Sequence, residues 1–114
     1  MRVTLGKKAS EKVSKARKCL EIGRSLAHVE ARLNHIWSSA VKKNAVEMKE
    51  RARVALEEIG RLNEKFPLTK PDTKSVVKVL DRMAAGKGQM TPEAVESIRS
   101  VVYKLHTEAN RACS

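Results

Sequence analysis

The sequence predicts an all-α fold: one domain over residues 1–114, a small helical bundle with a long spine helix, or a kinked pair, and two shorter C-terminal helices. Three observations carry this. Proline is absent from residues 10 to 66 and glycine occurs there only at Gly23 and Gly60, so little punctuates the first half of the chain. Apolar residues recur there at steps of three and four, the period of one helix face. Five glycines and three prolines in 114 residues leave too few turns for a set of short strands.

Two apolar faces run through the N-terminal part. Val13, Ala16, Leu20 and Ala27 mark one; Ile22, Leu26, Val29 and Leu33 mark another, rotated by about a third of a turn. Gly23 sits at the handover, which predicts either a kink or a turn buried on two sides. The spine stripe then reads Leu33, Trp37, Ala40, Met48, Ala52, Ala55, Ile59, Leu62 and Phe66, with one double step across Asn44. It predicts a helix from about residue 25 to 65, about 60 Å long at ~1.5 Å per residue. The segment "SSAVKKN" at 38–44 is a second candidate break, because Ser and Asn favour caps, but the continuing stripe speaks against a full stop. The segment "FPLTKPDTK" reads as a loop: two prolines, then Asp72 and Thr73, end one helix and cap the next. "SVVKVLDRMAA" follows as a short helix with Val76, Val77, Leu80 and Met83 inward, closed by Gly86 and Gly88 in a left-handed cap. Thr91 caps the last helix, with Pro92 at its first position and Glu93 in its first turn. Ala94, Val95, Ile98, Val101, Val102, Leu105 and Ala109 line its buried side. The spine stripe is longer than two short helices can cover, which predicts a second copy or a partner subunit against it, near Trp37.

Charge is the main pointer to function. Lys and Arg number 24 against 13 Asp and Glu, a net +11 with a pI of about 10.1. Residues 1–24 hold eight basic groups against two acidic, so a net +6 sits in the first fifth of the chain. A surplus of this size points to a polyanionic partner. Cys19 and Cys113 show no zinc spacing, and two reduced thiols inside a cell are expected. No apolar run is long enough to span a membrane, and the N-terminus lacks the apolar stretch of a secretory signal. A mitochondrial presequence fits poorly, since the segment favours Lys over Arg and contains Glu11 and Glu21. The expected location is intracellular, cytoplasmic or nucleoid-associated.

No catalytic signature is present. "AAGKGQMT" lacks the GxxxxGK[ST] spacing of a phosphate loop and follows a helix, not a strand; Lys87 there is a loop-borne charge. His28 and His35 are two turns apart, too far to chelate one ion, and no metal or cofactor is expected. The carboxylates have basic neighbours one turn away, as in solvated ion pairs. No Ser or Cys has a nucleophile context. A helix–turn–helix reading of 73–85 and 91–112 has a second helix that is too apolar, with only Arg99, Lys104 and Arg111.

The basic residues remain. Lys8, Lys12 and Lys15 share a helix face, with Lys18 at its edge, while Val13, Ala16 and Leu20 occupy another side. Such a ladder can follow a phosphate backbone and reads no sequence. Arg24, Arg32, Lys42, Lys49 and Arg53 complete the candidate set, and Lys74, Lys78 and Arg82 recur at helical spacing further on. Three aromatics in all, Trp37, Phe66 and Tyr103, are too few for a base-stacking platform. The expected function is a non-catalytic, nucleic-acid-binding helical accessory protein. It holds DNA or RNA by the backbone, as a homo-oligomer or a subunit of a larger complex, away from membranes. The alternative is a protein–protein interaction module, an adaptor or inhibitor, that binds an acidic protein surface. No motif identifies a family.

Overall fold

The structure, a computed structural model, describes residues 7–113, with side chains from 17 to 112. It is all-α: α1 spans Lys7–Val41, α2 Ala45–Lys65, α3 Lys70–Ala84 and α4 Pro92–Cys113, with a single 3₁₀ turn, Pro67–Thr69, before α3. No strand occurs among the described residues. Neighbouring contacts run α1–α2, α2–α3, α3–α4 and α4–α1, the ring of an up-down-up-down four-helix bundle.

The expected helix over 25–65 is two helices. The chain stops at Val41, turns through Lys42, Lys43 and Asn44, and runs back as α2. The turn is a Schellman ending: the Asn44 N–H donates to Ser39 O at 2.9 Å and the Lys43 N–H to Ala40 O at 3.0 Å. Lys43 takes the left-handed conformation, φ +57°. Asn44 then caps α2, its Oδ1 accepting from the Glu47 N–H at 3.1 Å and its Nδ2 donating to Glu47 Oε2 at 2.9 Å. Arg51 pairs with Glu47 and donates to the His35 carbonyl at 2.7 Å, tying the first turn of α2 to α1.

Folding back removes the geometric reason for expecting a second copy on the spine. α2 covers α1, and Leu26, Val29, Leu33, Ile36 and Ala40 of α1 meet Met48, Ala52, Ala55, Ile59 and Leu62 of α2 in one core with Val76, Leu80, Met83, Val95, Ile98 and Val102. Each fully buried Leu, Ile, Val or Met side chain there contributes roughly 1.5–3 kcal/mol by leaving water. Trp37, expected inward, is 39% exposed, and Ile36 takes its place in the core. Of the two N-terminal faces, the Leu26–Val29–Leu33 face is the buried one, while Leu20 is exposed. α1 runs unbroken through Gly23. The glycine is buried against α4, where an added Cβ would lie 3.0 Å from Asn110 Oδ1 and 3.9 Å from Ala109 Cβ. Burial on two sides, rather than a kink, explains that handover.

The segment read as a loop is shorter than expected. α3 begins at Lys70, so Thr73 is not a cap but a buried residue within the first turns. Its hydroxyl lies 3.1 Å from both Asn63 Oδ1 and Thr69 O, and Thr69 Oγ1 donates at 2.7 Å toward Asn63 Oδ1 or Phe66 O. α3 ends as expected, with Gly86 and Gly88 at φ +71° and +78°. α4 also starts as expected: the Ala94 N–H reaches Thr91 Oγ1 at 3.3 Å, behind Pro92 and Glu93.

Side-chain pairs fix the register. Glu21–Lys65 (3.4 Å) and Arg32–Glu58 (3.1 Å) set α2 antiparallel to α1; Glu30–His106 (3.2 Å) and Asn34–Arg99 (2.8 Å) do so for α4. α2 and α4 therefore both end at about the level of Glu21. α1 starts at Lys7, so its first turns run roughly 20 Å beyond those ends at ~1.5 Å per residue. Cys19, 8% exposed at that level, is disulfide-bonded; the chain's other cysteine is Cys113. The disulfide replaces the expectation of two reduced thiols.

Candidate nucleic-acid interface

The fold gathers fifteen of the 24 basic residues into two groups at opposite ends of the bundle. The first is the N-terminal run of α1. The Arg17 and Lys18 side chains are exposed, as is Arg24 one to two turns on. Lys8, Lys12 and Lys15 belong to α1 by its bounds, but their side chains lie outside the described residues.

The second group forms where the α1–α2 turn meets the α3–α4 loop. Antiparallel packing of α2 and α3 brings residues 42–53 beside residues 82–93, which are separated in sequence by a helix and a half. Lys42 and Lys43 are exposed in the turn, and Lys49 and Arg53 are exposed on α2. Lys42 therefore does not share a helix face with Lys49 and Arg53, as a continuous spine would require; it shares an end of the bundle with them. The Lys49 side chain crosses Gly86, its Nζ 2.9 Å from where a Cβ on that glycine would stand. Arg82 packs under Gly88, its Nε 3.3 Å from the corresponding point there. Arg82, Lys87, Gly88, Gln89 and Glu93 line a cleft of about 560 Å³ between α3, the loop and α4.

The loop is built by the same ending as the α1–α2 turn. The Lys87 N–H donates to Arg82 O at 2.7 Å and the Gly86 N–H to Met83 O at 3.0 Å. Lys87 is thereby held between two left-handed glycines and is exposed. Lys43, Arg82 and Lys87 were not in the expected set. The signal for them was present in the charge count, but their proximity depends on the turn at 42–44.

Ion pairs engage some of the basic residues and leave others in water. Arg32 binds Glu58, Lys65 binds Glu21, Arg99 binds Glu96, and His106 lies against Glu30. Arg32 thus serves the α1–α2 contact and is not a free cation. Lys42, Lys43, Lys49, Arg53, Arg82 and Lys87 have no carboxylate within ion-pair distance among the described residues. Residues 42–53 and 82–93 together hold seven basic groups against three acidic, a net +4; with the +6 of residues 1–24, everything else in the chain carries +1.

Among the described residues no cluster of three His, Cys, Asp or Glu is placed to hold a metal ion, and no helix is long and apolar enough to cross a membrane. The chain matches no known protein family, no curated protein and no solved structure.

Proposed function

We propose that this protein binds nucleic acid non-catalytically, through phosphate contacts made by Lys and Arg at the two ends of the bundle. The observation that supports this most is the segregation of charge: ten of eleven net positive charges lie in the two end regions, and of the cations of the second end only Arg51 has an acidic partner, Glu47. Unpaired cations that are left in water are those a polyanion can use, each releasing counterions as it binds. The end that includes Lys43 adds a second support. A lysine in the left-handed region costs about 1–2 kcal/mol that glycine would avoid, and strained residues concentrate at functional positions. Binding by backbone contact suits an accessory role within a nucleoprotein assembly, cytoplasmic or nucleoid-associated.

The test is a salt titration against single- and double-stranded DNA and RNA. Replacing Lys8, Lys12, Lys15 and Lys18 with Gln preserves helix propensity. It is expected to weaken binding equally across sequences and to make the slope of log affinity against log salt shallower. Four full contacts on duplex DNA would remove roughly three to four units, at about 0.9 each. Identical affinities and slopes for wild type and variant would overturn the N-terminal contact.

The alternative, a module for an acidic protein surface, has Trp37 and Val41 in its favour. They lie one turn apart on α1, 39% and 51% exposed, close to Lys42 and Lys43. Absence of salt-dependent binding to any of the four nucleic acids would make this the leading reading.

A further inference from the structure

We infer that the protein bridges two nucleic-acid segments, one held at each end of the bundle, and so acts as a cross-linking architectural element. The inference rests on the nucleic-acid reading above and goes beyond it, because a single strip of cations would bind without bridging.

Three features of the charge map carry it. The two basic groups are far apart: from Lys18 to Lys42 α1 climbs about 36 Å at ~1.5 Å per residue, several times the ~8–10 Å over which charges act at physiological salt. Each end therefore attracts a polyanion on its own. The rest of the chain is close to neutral: its nine basic residues, among them Arg32 paired with Glu58 and the exposed Lys74 and Lys78, are matched in number by eight acidic ones. A duplex laid lengthwise on the body, whose principal extents are 67 × 21 × 18 Å, would meet there nearly as many carboxylates as cations. Finally, the ends are built differently. The first is a helix running beyond its neighbours. The second is a knot of two turns, with Lys42 and Lys43 on one and Lys87 on the other, joined by Lys49 lying over Gly86. Two groups of cations at opposite ends of one bundle offer two places for a polyanion, which a single basic strip does not.

The experiment uses bead-tethered 30-bp duplex and a second, fluorescent 30-bp duplex, in parallel sets of DNA and RNA, with the full chain added below saturation. Wild type is expected to bring the fluorescent duplex to the beads. Two variants separate the ends: Lys8→Gln, Lys12→Gln, Lys15→Gln and Lys18→Gln for one, and Lys42→Gln, Lys43→Gln, Lys49→Gln and Lys87→Gln for the other, each checked for wild-type helicity. Each is expected to bind a single duplex with a shallower salt slope but to capture the second duplex at least tenfold less well. Wild type that binds single duplex yet captures no second one overturns the bridging inference and leaves the nucleic-acid reading standing. Capture undiminished in either variant also overturns it, since the bridge would then come from association of copies. No binding of single DNA or RNA duplexes or strands overturns the reading on which the inference rests.

Discussion

Lys43 and Gly86 occupy the same place in two copies of one helix ending. Each is the left-handed residue after the last turn, of α1 and of α3, at φ +57° and +71°. Each is followed by a residue whose N–H reaches back to close the motif, Asn44 to Ser39 and Lys87 to Arg82. One position has the residue the backbone favours and the other does not.

Lys43→Gly is therefore expected to stabilise the fold. Relief of the left-handed penalty, about 1–2 kcal/mol, exceeds the roughly 0.4–1 kcal/mol that glycine returns to the unfolded chain. The net gain is about 1 kcal/mol, read as a rise of a few degrees in melting temperature by circular dichroism. The same variant is expected to bind nucleic acid more weakly, so stability and binding move in opposite directions. A melting temperature that falls would show that the Lys43 side chain supports the turn itself.

The same substitution is expected to act with opposite sign at two glycines. Gly60→Ala lies in the interior of α2 with nothing within 4 Å of the new Cβ, and should gain about 1 kcal/mol from helix propensity. Gly86→Ala must hold φ +71° and also collides with the Lys49 side chain, so it should lose more than 1 kcal/mol. Adding Lys49→Ala to Gly86→Ala is expected to recover part of that loss, the part due to the collision. Chemical denaturation of the four proteins measures all three effects.

Reduction should matter at Cys19. Cys19 is buried on α1 and disulfide-bonded, and opening a native disulfide typically costs about 2–4 kcal/mol. Treatment with dithiothreitol, or Cys19→Ser, is expected to lower the denaturation midpoint while leaving the helical signal at 25 °C. An unchanged midpoint would mean that the bond adds nothing to the fold. The cytosol keeps most thiols reduced, so for a protein acting there the reduced form is the one whose stability counts.

The α3–α4 connection is legible in the sequence because it is written in residues with one strong conformational meaning: Gly86 at a left-handed cap marks the end of α3 and Thr91-Pro92-Glu93 the start of α4. The start of α3 is not, because Pro71 and Asp72 fit its first turn as well as the loop. The turn at 42–44 was hidden for two physical reasons. Its left-handed residue is a lysine, which carries no such signal. The eight-residue step from Ala40 to Met48 also preserves the apolar period, since two antiparallel helices that share a core keep one buried stripe across their turn. That stripe misplaced Trp37 as well, because only tertiary packing chooses between it and Ile36. The amount of positive charge was legible by counting. Its division between two ends was not, since residues 42–53 and 82–93 meet only after the chain has folded back.

The most extensive helix contact joins α1 to α4, the first helix to the last. Asn34 and Arg99, which touch across it, are 65 residues apart. Closing so long a loop costs more entropy than forming the α1–α2 or α2–α3 hairpin, though only as the logarithm of its length, and distant contacts of this kind slow folding. Assembly is thus expected to run from local hairpins to a late docking of α4. During synthesis from the N-terminus, α1 to α3 emerge as an open trough lined by Leu26, Val29, Leu33 and Leu80, with no lid until the final 22-residue helix arrives. In that interval, rather than in the finished bundle, the chain is expected to expose the most apolar surface to aggregation.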